Sequence, residues 1–392
     1  MYVLMMVLSL VIALMVLRLF SFHRGVYNGN GIKSISGLRA LLASIVAFSH
    51  FAHYVYSLDH EWVFDKDYFA WVSQGNFFAN SGKFGVALFF MISAFLFYRW
   101  LDNDKLTTAE LTRKLLKSRV RRIVPMFWFS ALLIVVIGWF SGDVVASGAM
   151  LVDGLRWFLF VGNYHIGSIP TANINAGVEW TLRLEWLLYL SIPLIYLLNR
   201  ATNGRFKMLF IMGSIGGILA VAIALRLWGT AYTDPRPVLG FATGYLAWHY
   251  RDRFMALRTS GLAAVVAITL TVIALFFTSS TFYYLIFLCL LAVVFFVISS
   301  GNSLFGLLES KTLMSVGEVS YSLYLIHGIV LYFIKKIPES LIQHNFFFYT
   351  LLSTLFFVAS FYVARLTYLY VEKPFITSSQ KKKEAANASS AI

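Results

Sequence analysis

The stretch at residues 37–50 reads "GLRALLASIVAFSH". It is apolar enough to sit in a bilayer, yet it carries Arg39 near one end and His50 at the other. A charged side chain at membrane depth is costly, so a chain that keeps one has a structural or functional use for it. An α-helix turns ~100° and rises ~1.5 Å per residue. The eleven steps from Arg39 to His50 therefore make three turns plus roughly 20°, placing both side chains on one stripe about 16 Å apart. One stripe joins two depths.

The surrounding sequence supports the membrane reading. Of the 392 residues, 59% are hydrophobic and only 13% charged, with a mean hydropathy of +0.74. That is too little charge to cover a soluble surface of this size. Apolar runs near the ~20 residues of a spanning helix recur along the chain. Read against the charged breaks, they predict about eleven spans at 2–20, 35–56, 84–101, 123–140, 179–198, 207–227, 237–250, 261–278, 282–300, 316–334 and 346–370. The expected fold is an all-α, polytopic transmembrane helical bundle with no separate soluble domain.

A formal net charge of +14 raises nucleic acid as a partner, but its placement argues for topology instead. Basic residues crowd alternate loops: Arg18, Arg24 and Lys33, then Arg113 through Arg122, then Arg200 to Lys207, Arg251 to Arg258, and Lys381 to Lys383. This positive-inside pattern predicts an N-terminus outside and a C-terminus in the cytoplasm. Membrane lipids and an anionic ligand are the partners it suggests, with no nucleic acid. Cys289 is the single cysteine, and no histidine cluster has metal-ligand spacing, so neither a disulfide nor a metal is expected. The first apolar run lacks a basic leader and reads as a true span rather than a cleaved signal.

Two loops stand out. Residues 102–122 form a basic inner loop ending in "SRVRRIVP". The outer segment 141–178 contains "GLRWFLF", suited to the membrane surface, followed by the polar "GNYHIGSIPTANINAG".

The polar residues inside the spans are the functional candidates. "EWTLRLEWLLYLSIP", 179–193, enters from outside and places Glu185 level with His50. If the helices adjoin, they form a general base with an orienting acid; a structural ion pair, with Arg183 nearby, is the plainer reading. "VSYSLYLIHGIVL", 319–331, brings His327 to a similar depth, Tyr324 close to it, and Ser320 and Tyr321 nearer the inner surface. Interhelical hydrogen bonding and aromatic packing account for these equally simply. Ser93 lies mid-depth in "GVALFFMISAFLFYR", 85–99. At the inner surface Arg39 can join Arg119 and Arg122, with Glu372 of "YVEKPF" nearby. Arginines suit bidentate phosphate binding, and they also serve ordinary topology.

Taken in order, these motifs resemble the acyltransferase-3 family of integral membrane acyltransferases. "ISGLRALLASIVAFSH" is similar to the family's first core helix, a Leu-Arg followed eleven residues later by His. "GVALFFMISAFLFYR" resembles its G-V-x-x-F-F-x-x-S-G-F-L segment, and "RVRRIVPMFW" its arginine-rich stretch, giving Arg119 and Arg122. "WTLRLEWLLYLSIP" is similar to its W-S-L-x-x-E-x-x-Y-x-x-x-P element, giving Glu185, Tyr189 and Pro193. "VGEVSYSLYLIH" and "YLYVEKPF" look like its two closing signatures. The departures are Ser36 for a common Asp, Ala40 and Ala94 for Gly, and Trp186 for an acidic residue.

The resemblance implies an enzyme, an O-acetyltransferase type, moving an acyl group from acyl-CoA, usually acetyl-CoA, to a sugar hydroxyl. The acceptor it implies is a cell-surface or lipid-linked glycan, such as lipopolysaccharide O-antigen or exopolysaccharide. The competing readings are a transporter or flippase for a lipid-linked saccharide and an acyltransferase for a small glycoside. The expected catalytic residues are His50, Arg39 and Glu185. Arg39, Arg119, Arg122 and Ser93 are expected at the donor, with Tyr189, Ser320, Tyr324, His327 and Glu372 as further candidates. His50 stands as general base or as transient acyl carrier. The implied layout is an extra N-terminal span and inner loop over 1–31, a membrane domain over 32–376, and a disordered basic cytoplasmic tail over 377–392. The implied location is the inner (plasma) membrane. The extracytoplasmic hydrolase-like domain that some members append is outside this sequence, so the membrane domain is expected to complete transfer alone.

Overall fold

The computed structural model describes residues 2–26, 32–55, 77–142, 147–162, 165–228, 233–278, 284–337 and 345–377. The basic tail beyond residue 377 lies outside them. Nearly all of the described chain is helical, and a two-residue antiparallel pair, His165–Ile166 with Ile169–Pro170, makes a small β-turn unit on the connecting segment.

The long elements are α1 (Tyr2–Leu19), α2 (Lys33–Val55), α3 (Phe77–Tyr98) and α4 (Thr108–Phe140). After them come the short α5 (Gly148–Phe158) and α6 (Thr171–Asn175), then α7 (Trp180–Ala201), α8 (Lys207–Leu227) and α9 (Gly240–His249). The chain continues through α10 (Gly261–Phe276), α11 (Tyr284–Ser299), α12 (Lys311–Glu318), α13 (Ser320–Ile334) and α14 (Phe346–Thr367), which runs into a π-helical turn at Tyr368–Glu372. Seven described helices are long and apolar enough to cross a membrane, and α12 with α13 makes an eighth crossing if the pair is one span. The protein is a polytopic helical bundle.

Three expectations change. The supposed inner loop 102–122 is mostly helix. Thr107 and Glu110 form a reciprocal capping box, and nothing after it breaks the helix, so α4 runs unbroken for 33 residues with Pro125 inside it. Its length, about 50 Å, exceeds a hydrocarbon core and lifts the basic half out beyond it. The expected span 237–250 shrinks to the ten-residue α9, because Pro235 and Pro237 restrict the chain before it to a short 3₁₀ turn. The expected span 316–334 is broken at Val319, where α12 and α13 meet at 76°.

That break is held by close backbone contact. A Cβ on Gly317 would fall 1.9 Å from the Ser36 carbonyl oxygen, and one on Gly37 the same distance from that of Leu308. The start of α2 is thereby locked against α12 and the turn before it. Elsewhere, the alanine at position 94 loses nothing in packing: the glycine stands on the facing helix, as Gly244 of α9 sits against Met91 and Ala94.

Buried apolar side chains form two large groups. One joins α1, α2, α11 and α14, and the other joins α4, α7, α8 and α9. α3 and α13 serve both: Leu88 and Leu323 face the first group, Phe90 and Ile326 the second. The seam between the groups runs along these two helices.

Gly37→Ala should destabilise the protein by about 1–3 kcal/mol or more, as overpacking does, read as a lower unfolding temperature in detergent. Gly216→Ala, where a Cβ meets open space, should leave that temperature unchanged within experimental scatter.

Candidate active site

At the seam lies a cavity of about 120 Å³. α2 contributes Arg39, α3 contributes Phe89 and Ser93, α4 contributes Arg119 and Arg122, α7 contributes Thr181, Glu185 and Tyr189, and α13 contributes Ser320, Tyr321 and Tyr324. The remaining walls are apolar, among them Val86, Phe90 and Leu182.

Glu185 anchors the polar wall. The Tyr189 hydroxyl, one helical turn on, donates to its Oε2 at 2.6 Å, and Ser93 Oγ reaches its Oε1 at 3.4 Å. The cations in electrostatic reach are Arg119 and Arg39. Arg119 lies over the Phe97 ring at 4.5 Å and near the Tyr189 ring at 5.9 Å, contacts that suit a planar guanidinium with few hydrogen-bonding partners.

A second carboxylate, Glu372 of the π-helical turn, stands behind the same arginines. It is fully buried, takes a 2.8 Å hydrogen bond from Ser322 Oγ, and faces Arg122 Nε at 3.8 Å. Arg39 is within electrostatic reach of Arg122, Glu318, Glu372 and Arg119. Among the described residues no carboxylate comes within ion-pair distance of Arg39. Ser320 Oγ, in the first turn of α13, is buried without a hydrogen-bond partner among the described residues.

His50 does not line the cavity. Its Nδ1 meets His327 Nε2 at 2.8 Å, and the two rings stack at 5.1 Å with 17° between their planes. His327 Nδ1 in turn donates to the Leu323 carbonyl at 3.0 Å. Tyr324 connects this pair to the cavity: it lines the cavity wall, and its ring centre is 6.2 Å from that of His327. Its hydroxyl also bonds Thr181 at 3.0 Å and donates to the Val178 carbonyl at 3.1 Å.

The expected residues are thus divided between two adjoining places. Arg39, Ser93, Arg119, Arg122, Glu185, Tyr189, Ser320 and Tyr324 share the cavity, while His50 and His327 pair beside it and Glu372 backs Arg122. The pairing expected between His50 and Glu185 gives way to His50 with His327. The reason is depth. The segment before α7 does not start at the membrane surface: Thr171, Ile174, Asn175 and Glu179 are all buried, and α6 packs against α13 at Gly328. α7 therefore begins inside the bundle, and Glu185 falls toward the arginines. Arg183 leads elsewhere, donating to the Gly162 carbonyl.

Tyr321 joins Ser320 in the cavity wall, and Thr181 belongs to the site although the sequence reading does not single it out. Thr181, Glu185 and Tyr189 recur every four residues and so share one helix face, a signal present in the sequence. Tyr321 donates to the Ile123 carbonyl at 2.9 Å, a contact that depends on the break before α13 and has no local signature.

A family model described as an acyltransferase domain, that of acyltransferase family 3, matches residues 32–365. The chain belongs to the acyltransferase-3 family. No curated protein and no solved structure matches it. It is a membrane acyltransferase, and every residue of the cavity and of the histidine pair falls within the matched stretch. In this acyltransferase α1 lies before that stretch and packs on α14 through Tyr2 against Phe346 and Tyr349 and through Ser9 Oγ and Ser353 Oγ, 2.6 Å apart.

Tyr189→Phe removes the short bond to Glu185. Hydrogen bonds to charged groups are worth about 1.5–3 kcal/mol, so the variant should unfold at lower temperature in detergent. Pairing it with Glu185→Leu should show strong non-additivity in a double-mutant cycle, whereas additive losses would mean the two side chains act separately.

Proposed function

We propose that this acyltransferase transfers an acyl group, acetyl in the simplest case, from acyl-CoA to a sugar hydroxyl of a cell-surface or lipid-linked glycan. O-antigen and exopolysaccharide are the acceptor types in view. The observation that carries the reading is the cavity itself: three arginines meet one end of an apolar passage that adjoins a histidine pair.

The residues fit a thioester donor. Among the described residues Arg39 is unpaired and Ser320 Oγ is buried without a partner, so both present donors to an anion. The first turn of α13 adds the partial positive charge of a helix N-terminus. Phosphates of CoA match this end, and the uncharged pantetheine arm matches walls such as Phe89, Phe90 and Leu182. Glu185 holds Tyr189 and Ser93 and balances Arg119, so its role is to shape the passage rather than to orient His50. In an orientation with the arginine end toward the cytoplasm, a cytoplasmic donor and an acceptor from the opposite side would meet at His50.

Two routes use the same atoms. In one, His50 takes the proton of the acceptor hydroxyl as its oxygen attacks the thioester carbonyl; a C–O bond forms, the C–S bond breaks, and the CoA thiolate recovers the proton. In the other, His50 first attacks the thioester, and the acyl-imidazole then passes the group to the acceptor. Family membership favours group transfer over the transport alternative.

Membranes bearing the protein should move labelled acetyl from acetyl-CoA to envelope glycan, with His50→Ala slower by about 10²–10⁴-fold. Full transfer by that variant would reject the proposal. Arg39→Ala should raise KM for acetyl-CoA by about tenfold or more, the loss of one charge-assisted contact. The same change should leave KM for S-acetylpantetheine, which lacks the phosphates, nearly unaltered. Equal effects on both donors would move Arg39 away from the phosphate site.

A further inference from the structure

The hydrogen bonds around the two histidines determine where their protons are. The Leu323 carbonyl is an acceptor and nothing else, so the contact at 3.0 Å requires a proton on His327 Nδ1. A neutral His327 then has its lone pair on Nε2, the nitrogen that faces His50 Nδ1 at 2.8 Å. His50 must supply the proton in that contact, from Nδ1. The lone pair of a neutral His50 is therefore on Nε2. The ring that the other makes its bond through decides which nitrogen is basic.

We infer that His327 is a positioning residue that locks His50 in the tautomer whose Nε2 is basic, with the Leu323 carbonyl as the fixed end of the chain. His327 is fully buried, and its ring stacks on that of His50, so the geometry is held by packing as well as by hydrogen bonds. The backbone end cannot rotate away: Leu323 and His327 are one turn apart on α13. Gly328, the next residue, seats that turn against the Asn175 backbone, where a Cβ would come within 2.3 Å.

This inference rests on the acyl-transfer reading for its chemistry, and it serves both routes. When Nε2 of His50 takes the acceptor proton, His50 becomes an imidazolium, and its Nδ1 proton can move to His327 Nε2. The positive charge is then shared by two rings and returns when the thiolate takes the Nε2 proton. When Nε2 of His50 instead forms the bond to the acyl carbon and the thiolate leaves, the same Nδ1 proton passes to His327. That leaves a neutral acyl-imidazole beside a protonated His327. In the second step the acceptor hydroxyl gives its proton to the CoA thiolate as its oxygen takes the acyl group, His50 Nε2 becomes the leaving atom, and the proton on His327 comes back to His50 Nδ1. In each route atoms and charge balance without a further acid or base.

The test separates the lock from the activity. Protein labelled with ¹⁵N-histidine and reconstituted in phosphatidylethanolamine–phosphatidylglycerol bilayers is measured by solid-state NMR, with His50→Gln and His327→Leu assigning the two rings. Both rings should carry hydrogen on Nδ1 in the unsubstituted protein, and His327→Leu should release His50 to a mixture of tautomers. A His50 ring protonated on Nε2 in the unsubstituted protein overturns the lock.

Turnover of labelled acetyl-CoA is then compared for His327→Leu and His327→Gln, whose amide oxygen reaches the place of the ring nitrogen. Removal of such an orienting partner lowers activity by roughly 10–100-fold. His327→Leu should show that loss in kcat with KM for acetyl-CoA unchanged, and His327→Gln should recover most of it. Equal kcat in all three forms overturns the positioning role. If the NMR result holds but no form transfers acetyl, the lock stands and the acyl-transfer reading fails.

Discussion

Burying charge inside a low-dielectric bundle is the problem on which the rest of the structure depends. Three arginines and two carboxylates sit where water is scarce, and each must be met by a partner or by a ligand. The solution is convergence. Glu185 is held by Tyr189 and Ser93 near Arg119, Glu372 is held by Ser322 opposite Arg122, and Arg119 is cushioned on Phe97. Five helices and the π-helical turn supply these groups, so no single element could form the site alone.

The break at Val319 makes the convergence possible. An unbroken helix over 311–334 would carry Ser320, Tyr321, Tyr324 and His327 along one straight axis. The 76° bend instead turns the first residues of α13 toward the arginines while the next turn reaches His50. The bend needs room, and Gly37 and Gly317 provide it by letting two backbones touch. Close packing at a glycine joint is a frequent device between membrane helices, where no solvent drives association.

How much of this was legible in the sequence follows from what is local and what is not. Helix class, the Arg39–His50 stripe and most of the polar cavity residues follow from periodicity and composition, which act over a few turns. Charge suggests a loop where the 33-residue α4 runs, while the capping box at Thr107 and Glu110 is the local signal for helix. The partner of His50 was not legible in the same way. Depth along a helix depends on where the helix starts, and α7 starts inside the bundle because the segment ending at Glu179 is itself buried. A bond between residues 277 positions apart has no local signal. The bend at 319 falls in the same class, since its cause lies in the backbones it touches.

The site also has two ends of unlike chemistry, and the seam between the two apolar cores explains why. Each core packs its own helices tightly, and α3 and α13 are shared between them. Along such a seam neither core can fill all the space, so polar groups gather there without opening either core. At one end Arg39 has no carboxylate within ion-pair distance among the described residues, an arrangement that favours an anion. At the other end two imidazoles stack and share a hydrogen bond whose fixed end is the Leu323 carbonyl, which suits a base that must give back the proton it takes. Phe89 and Tyr324, their rings edge to face at 6.2 Å, stand between the two ends. An uncharged, flexible linker is the kind of molecule that can pass such a wall while leaving its charged group behind. The separation of charge from chemistry is therefore a property of the packing, set before any substrate arrives.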